Sequence, residues 1–204
     1  MKAQRLVLRA AVLLAGAMLA GCISPVPLTL SESFANPSTQ PPDAHPVKPA
    51  RKAPSCALVV DSIADVRADK LMLGNVVGRP VHAPANVDAW LRNVIGGLQT
   101  RGIDVSFDAN AAHEFDPLVA SLTLRMAWVS GISSSKNATT LWRMHLRRGV
   151  ADIRQADYRG TDIALNWSSG DGELQRMVDR AMGRALDLMA ADVRAACAGQ
   201  PPTS

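Results

Sequence analysis

Cys22 carries the most specific chemical signal in this sequence. It ends a Leu-Ala-Gly-Cys motif at residues 19–22, which follows basic residues near the start and an apolar run over residues 10–19. A basic front, a short apolar middle and small residues before a cleavage point are typical of a secretory signal peptide. The run is shorter than the ~20 residues that a bilayer-spanning helix needs. The pattern therefore predicts a removable signal peptide over residues 1–21.

The motif resembles the bacterial lipobox. In a lipobox the cysteine thiol receives a diacylglycerol, the peptide is cut before the cysteine, and the new amino group is acylated, commonly with palmitate. The resemblance implies a lipid anchor on Cys22. Ile23 is not the aspartate of an inner-membrane retention signal, which by analogy with enteric bacteria implies the outer membrane and a domain in the periplasm. The alternative is an ordinary signal peptide with an incidental cysteine.

Residues elsewhere in the sequence do not predict catalysis or metal binding. The histidines at positions 45, 82, 113 and 145 are more than thirty residues apart, which argues against a metal site. No Gly-rich phosphate loop, nucleophile elbow or thiol-exchange pair of cysteines occurs. Asp61, Asp65 and Asp69 lie near Arg67 and Lys70, which favours a solvated ion-pair cluster over catalytic carboxylates. The sequence therefore predicts no enzyme activity, no cofactor and no metal.

The formal net charge of +4 overstates how basic the mature protein is. Three basic residues and no acidic residue lie in the predicted signal peptide, so the mature chain carries 4 − 3 = +1. Because a general affinity for nucleic acid needs a strongly basic surface, the sequence predicts no nucleic-acid partner.

Proline dominates the segment that follows the anchor cysteine. Eight of the thirteen prolines lie within residues 23–55, among polar side chains and with almost no apolar periodicity. Such a composition cannot bury enough surface to offset the entropy of ordering. We therefore predict a disordered tether over residues 22–55. Fully extended at about 3.1 Å per residue it would reach roughly 100 Å, whether as a functional reach or only as a spacer.

The sequence predicts a single folded domain over residues 56–198 and a frayed tail over residues 199–204. Apolar runs, alternating strands and helical stripes indicate the order β-α-β-β-β-β-α. This order predicts an α+β fold, a two-layer sandwich in which a mixed five-stranded sheet carries both helices on one face. Asn86 is the expected N-cap of the first helix and Gly102 its end. A small hairpin is expected near residues 76–82.

The three long strands alternate in polarity, so the pattern also predicts which side chains face the helices. The predicted inward residues are Leu118, Ala120, Leu122, Leu124, Met126 and Trp128, then Thr140, Trp142, Met144 and Leu146, then Ile163, Leu165 and Trp167. The predicted outward residues include a basic row of Arg125, Arg143, His145 and Arg147. This row is either a face that binds an anionic envelope component or an acidic protein, or an ordinary solvated face.

Cys56 and Cys197 are the cysteines that remain after Cys22. An even pair in an exported protein is typical of a disulfide. Cys56 opens the first predicted strand and Cys197 closes the last helix. A bond between them requires that helix to run back toward the start of the first strand. This in turn requires residues 108–117 to cross over, so that the third strand runs parallel to the first.

The chain resembles the YajG-type bacterial lipoproteins, a family without an assigned activity. The similar parts are residues 58–67, the helix, turn and strand over residues 89–105, and the strands and last helix over residues 118–196. The resemblance covers most of the folded domain but not the Pro-rich segment. The layout is also similar, at the level of fold only, to other small envelope lipoprotein domains, including activators of peptidoglycan synthases.

The sequence therefore favours a non-catalytic lipoprotein of a Gram-negative envelope. The lipid on Cys22 would bind the membrane, and the domain would bind an envelope protein or the cell wall. One alternative is an activator of a peptidoglycan synthase or an accessory lipoprotein of a transport system. A second alternative is a hydrolase of cell-wall or lipid material.

Overall fold

A computed structural model describes residues 26–37, 56–108, 117–132, 134–165 and 171–200. The predictions for the signal peptide, for lipidated Cys22, for the crossover at residues 109–116, for Trp167 and for the tail beyond Gln200 lie outside these ranges.

The described residues form one mixed sheet of eight strands and two α-helices. The strands are β1 (Leu28–Thr29), β2 (Cys56–Asp65), β3 (Met72–Val76), β4 (Arg79–His82), β5 (Ile103–Ser106), β6 (Leu118–Gly131), β7 (Ser135–Arg148) and β8 (Ala151–Leu165). The helices are α1 (Val87–Gly96) and α2 (Asp171–Cys197), and a 3-10 turn follows α1 at Gln99–Arg101. The α+β class is confirmed. The prediction of five strands is wrong, since β1, β3 and β4 add to the five that were expected.

Strand β6 organises the sheet because it is long enough to pair with three neighbours. Along one edge its first half pairs in parallel with β2, and its last residues pair in parallel with β3. Its other edge pairs along its whole length with antiparallel β7, which pairs with antiparallel β8. Beyond β2 lies parallel β5, and beyond β3 lie β4 and β1. The sequence predicted that its first three strands, here β2, β5 and β6, run parallel to one another, and this prediction is confirmed.

The N-cap of α1 lies where the sequence predicts it, whereas the predicted end at Gly102 instead ends the 3-10 turn that follows α1. The Asn86 side chain accepts a hydrogen bond from the Ala89 amide, as an N-cap does. Gly102 adopts the left-handed conformation with φ 79°, which glycine adopts without steric cost. The α-helix itself ends earlier, at Gly96. A Cβ on the next residue, Gly97, would lie 2.7 Å from Cε1 of Phe34, so close packing requires glycine there.

Helix α2 covers the inner face of the sheet. Its predicted stripe is buried, and the helix contacts β2, β5, β6, β7 and β8. The buried stripe consists of Leu174, Met177, Val178, Ala181, Met182, Ala185, Leu186, Met189, Ala190, Val193 and Ala196. The far end of the helix is joined to the start of β2 by the Cys56–Cys197 disulfide, with 5.7 Å between the Cα atoms. The predicted pairing of these cysteines is thus present in the structure.

The predicted inward position of Trp128 is wrong. A register shift between Leu124 and Met126 inserts a β-bulge into β6. A bulge adds one residue to one strand, so every later side chain changes face. Ala127 and Val129 therefore point into the core, whereas Trp128 lies on the outer face with 49% of its surface exposed.

The predicted inward face of the last strand is also wrong. Ile163 and Leu165 are exposed, and the inward positions of β8 are Tyr158, Gly160 and Asp162. The reason is the close approach of α2, since a Cβ on Gly160 would lie 1.8 Å from the Ala181 carbonyl oxygen. Asp162 faces the helix because Arg180 and Arg184 of α2 neutralise its charge, at 2.8 Å and 3.1 Å.

The tether prediction is wrong for residues 26–37, which we call the strap. Leu28 and Leu30 are buried, and β1 pairs in parallel with β4 at the sheet edge. Three apolar side chains, those of Leu28, Leu30 and Phe34, supply the buried surface that the prolines and polar residues around them obscure in the sequence. Residues 38–55 of the predicted tether lie outside the described residues.

Candidate functional surfaces

The outer face of β6, β7 and β8 carries the predicted basic row, and each of its members has an acidic partner. Asp157 bridges two of them, and the other two have separate partners on β8 and β2. The shortest distances are Arg125–Asp157 2.8 Å, Arg143–Asp157 2.7 Å, His145–Asp152 2.8 Å and Arg147–Asp61 2.5 Å. We call these seven residues the charged ladder. The row is therefore not a bare positive surface.

Asp157 is the centre of the charged ladder. The Arg143 guanidinium donates to both of its carboxylate oxygens, and Arg125 donates to one of them. The hydrogen bond from Arg143, and the positive charges of Arg143 and Arg125, lower the pKa of Asp157. The same hydrogen bond raises the pKa of Arg143. Both groups therefore stay ionised throughout the physiological range of pH.

The three aspartates that might have been paired carboxylates have separate structural roles. Asp61 on the outer face accepts hydrogen bonds from Ser121 and Arg147. Asp65 forms a buried ion pair with Arg67 at 2.7 Å. The Asp69 carboxylate caps the backbone amides of residues 71 and 72. No group of three His, Cys, Asp or Glu side chains among the described residues could hold a metal ion.

The strap crosses the ends of both helices and is fixed there by polar contacts that the sequence analysis did not identify. Gln175 of α2 accepts from the Ser31 amide and donates to the Ser33 carbonyl. The Glu32 carboxylate accepts from the amide of Asn86, the N-cap of α1, at 3.2 Å. Each of these bonds joins residues more than fifty positions apart, so no local pattern in the sequence could reveal them.

A second cluster fixes the far end of the strap. Arg101 donates to the Asn36 side chain at 2.6 Å and to the Gly183 carbonyl at 3.0 Å, and it forms an ion pair with Asp187 at 2.7 Å. The Arg101 side chain is mostly buried, so its contacts are protected from solvent screening. The strap, the 3-10 turn after α1, and α2 are thereby joined at one point.

Asp179 of α2 lies buried beneath the strap and accepts hydrogen bonds from the Ala35 amide and from Gln175. Burial raises the pKa of its carboxyl from 3.8 to about 6, although these hydrogen bonds and the charge of Arg180 oppose the rise. A carboxyl with a raised pKa in the folded state favours folding when it is protonated. Its ionisation therefore reduces stability as pH rises through about 6.

Asp179→Asn removes this ionisation while keeping a similar shape. The stability difference, variant minus wild type, is expected to increase by about 1–3 kcal/mol between pH 4 and pH 8. Urea titrations of both proteins across this pH range measure the difference. A difference that stays constant, or that decreases with pH, would show that Asp179 is not a buried acid with a raised pKa.

No helix among the described residues is long and apolar enough to cross a membrane.

Comparisons with known proteins find likenesses in fold. No protein-family model and no curated protein matches the sequence. A Xanthomonas campestris protein of the DUF330 family is 15% identical, with a TM-score of 0.47 over 70% of this chain and 86% of that chain. A hypothetical protein from Chlamydia trachomatis is 11% identical, with a TM-score of 0.46 over 70% and 99%. A minor lipoprotein from Acinetobacter baumannii is 12% identical, with a TM-score of 0.41 over 73% and 98%.

Proposed function

We propose that this chain is a lipoprotein of the YajG type, anchored in the outer membrane through Cys22, whose periplasmic domain binds another envelope component and catalyses no reaction. The observation that carries the proposal is the Leu-Ala-Gly-Cys motif at residues 19–22 behind a basic and apolar leader. The disulfide between Cys56 and Cys197 supports export, because such bonds persist in oxidising compartments and are rare in the cytosol.

The charged ladder is the surface that we propose for binding. Its side chains are about one third exposed or more, apart from Asp61, and they include both basic and acidic groups. An anionic polymer would meet Asp61, Asp152 and Asp157 as well as the arginines. A folded protein with its own mixed charges can complement both signs, and arginine is enriched in protein interfaces. These features support an envelope protein as the partner.

The alternative of a synthase activator that reaches across the periplasm has less support. It depends on a long tether between Cys22 and the domain. Because the strap is packed on α1 and α2, only residues 23–25 separate Cys22 from the packed part of the chain. An activator or transport accessory that acts close to the outer membrane remains compatible with the strap.

Crosslinking in cells tests the proposed surface. A photo-crosslinking residue replaces Gln155, an exposed position that lies opposite His145 on β8. The matched control carries the same residue in place of Leu188, an exposed position on α2 in the other layer. We expect a protein adduct from position 155 that mass spectrometry identifies, and none of the same mass from position 188. Equal adducts from both positions, or adducts from position 188 only, would contradict binding through the charged ladder.

A further inference from the structure

Most of the large apolar side chains that the described residues expose lie at one end of the sheet. Six of these ten side chains form this group, which we call the apolar end: Val26, Val77, Trp128, Ile132, Ile163 and Leu165. Pairing between strands places them together. Ile132 donates its amide to Ser135, which pairs with Leu165, and the Val77 amide donates to Gly131. Ile163 lies across from Asn137, which pairs with Ser130.

The described chain begins at the same end. Val26 precedes β1, and its carbonyl accepts a hydrogen bond from Arg79 Nε at 3.2 Å. Arg79 pairs with Val76, which pairs with Gly131 beside Ile132. Only residues 23–25 separate Val26 from Cys22. Because an extended chain spans at most about 3.3–3.6 Å per residue, the Cα of Cys22 lies within about 14 Å of the Cα of Val26.

We propose that the apolar end rests on the bilayer that the Cys22 lipid enters, with its side chains in the headgroup region. This inference rests on the proposed lipid anchor. The strap fixes Val26 to β4 and to the helices, so the domain cannot turn this end far from the membrane. A protein partner bound to the apolar end would have to fit between that end and the bilayer, although the Cα atoms of Val26 and lipidated Cys22 are at most about 14 Å apart.

The arrangement of the side chains fits an interfacial position. Ile132 and Leu165 are at the tip, with 67% and 61% of their surfaces exposed. Trp128 of β6 lies four residues before Ile132, which directly follows the strand, a separation of about 13 Å at the rise of a strand. Tryptophan is enriched at the headgroup level, where its ring is partly in lipid and its N–H remains hydrated. Apolar contact with the interface adds binding free energy to that of the acyl chains.

The opposite end of the sheet provides a control. It contains the turn between β7 and β8, where Val150 is fully exposed, and also the disulfide. If the apolar end faces the membrane, the long strands β6, β7 and β8 direct Val150 away from it. The charged ladder then lies between the two ends, on a side of the domain that stays accessible in the periplasm.

Fluorescence quenching by lipid tests this orientation. Full-length lipidated protein is prepared with Ile132→Cys, Leu165→Cys or Val150→Cys, and each new thiol carries an environment-sensitive fluorophore. The proteins are reconstituted in phosphatidylethanolamine–phosphatidylglycerol vesicles, with and without spin-labelled lipid. We expect a blue shift and strong quenching by spin-labelled lipid at positions 132 and 165. At position 150 we expect neither effect.

The remaining outcomes overturn the inference in distinguishable ways. Equal quenching at all three positions, or quenching at position 150 alone, shows that the domain is not oriented by its apolar end. A blue shift at position 132 without quenching by spin-labelled lipid, together with a dimer by light scattering, assigns the apolar end to a second copy of the chain. An intact mass without a lipid increment shows that the anchor itself, and with it the proposed function, is wrong.

Discussion

Replacing both Cys56 and Cys197 with alanine is expected to lower the free energy of unfolding by roughly 5 kcal/mol in the chain-entropy model of a disulfide. The bond joins residues 141 positions apart, and closing so long a loop removes much of the entropy of the unfolded chain. Urea titration under oxidising conditions measures the loss. Removing this bond also removes the covalent link between the start of β2 and the end of α2.

The reduced wild-type protein is the matched control for this prediction. Its stability in the presence of a thiol reductant should approach that of the double variant, because both lack the cross-link. If reduction leaves the urea midpoint of the wild type unchanged, Cys56 and Cys197 are not bonded in the exported protein. The inference from the sequence that β6 runs parallel to β2 would then no longer be supported by a covalent bond.

Trp142→Ala is expected to destabilise the domain by about 3–5 kcal/mol, since it empties one of the largest buried sites. Trp142 of β7 has no exposed surface, and its indole N–H lies 3.3 Å from the sulfur of Met182 on α2. Truncation therefore leaves a cavity between the sheet and the helix. The free energy of unfolding from a urea titration measures the cost.

Trp128→Ala provides a control of the same chemistry on the other face of the sheet. Trp128 is half exposed, so its truncation forms no closed cavity and should cost much less than that of Trp142. Equal losses for the two variants would mean that the bulge in β6 does not turn Trp128 outward. They would also remove Trp128 from the apolar end.

Features with a local or covalent cause were predictable from the sequence. The N-cap at Asn86 and the left-handed Gly102 follow from short-range geometry. The parallel direction of β5 relative to β2 followed from the helix that connects them. The parallel direction of β6 followed from a single long-range constraint, the disulfide, which left one direction for α2. The buried stripe of α2 followed from its period of 3.6 residues.

Features that depend on neighbours across the fold were not predictable. The bulge between Leu124 and Met126 leaves the alternation of apolar residues almost intact in the sequence, yet it exchanges the two faces of β6. In β8 the apolar residues Ile163 and Leu165 suggested the inner face. The inner face instead holds Gly160 and Asp162, because α2 approaches closely and supplies arginines.

The charged ladder and the apolar end also differ in how far the sequence predicts them. Alternation along β6 and β7 predicted the basic row, but the acidic partners depend on the register of β8 and β2. The apolar end is assembled from four separate segments that meet only in the folded sheet. The strap was not predicted, because the eight prolines of residues 23–55 outnumber the three apolar residues that pack it on the domain.

Intact-mass spectrometry of the protein extracted from the outer-membrane fraction tests the central claim most directly. The account predicts a chain that begins at Cys22, carries a lipid increment on that residue, and is two hydrogens lighter than the fully reduced form because Cys56 and Cys197 are joined. The Cys22→Ser variant, as the control, should lack the increment and be absent from that fraction. A wild-type chain in the outer membrane without lipid on Cys22, or one that retains residues 1–21, would contradict the account.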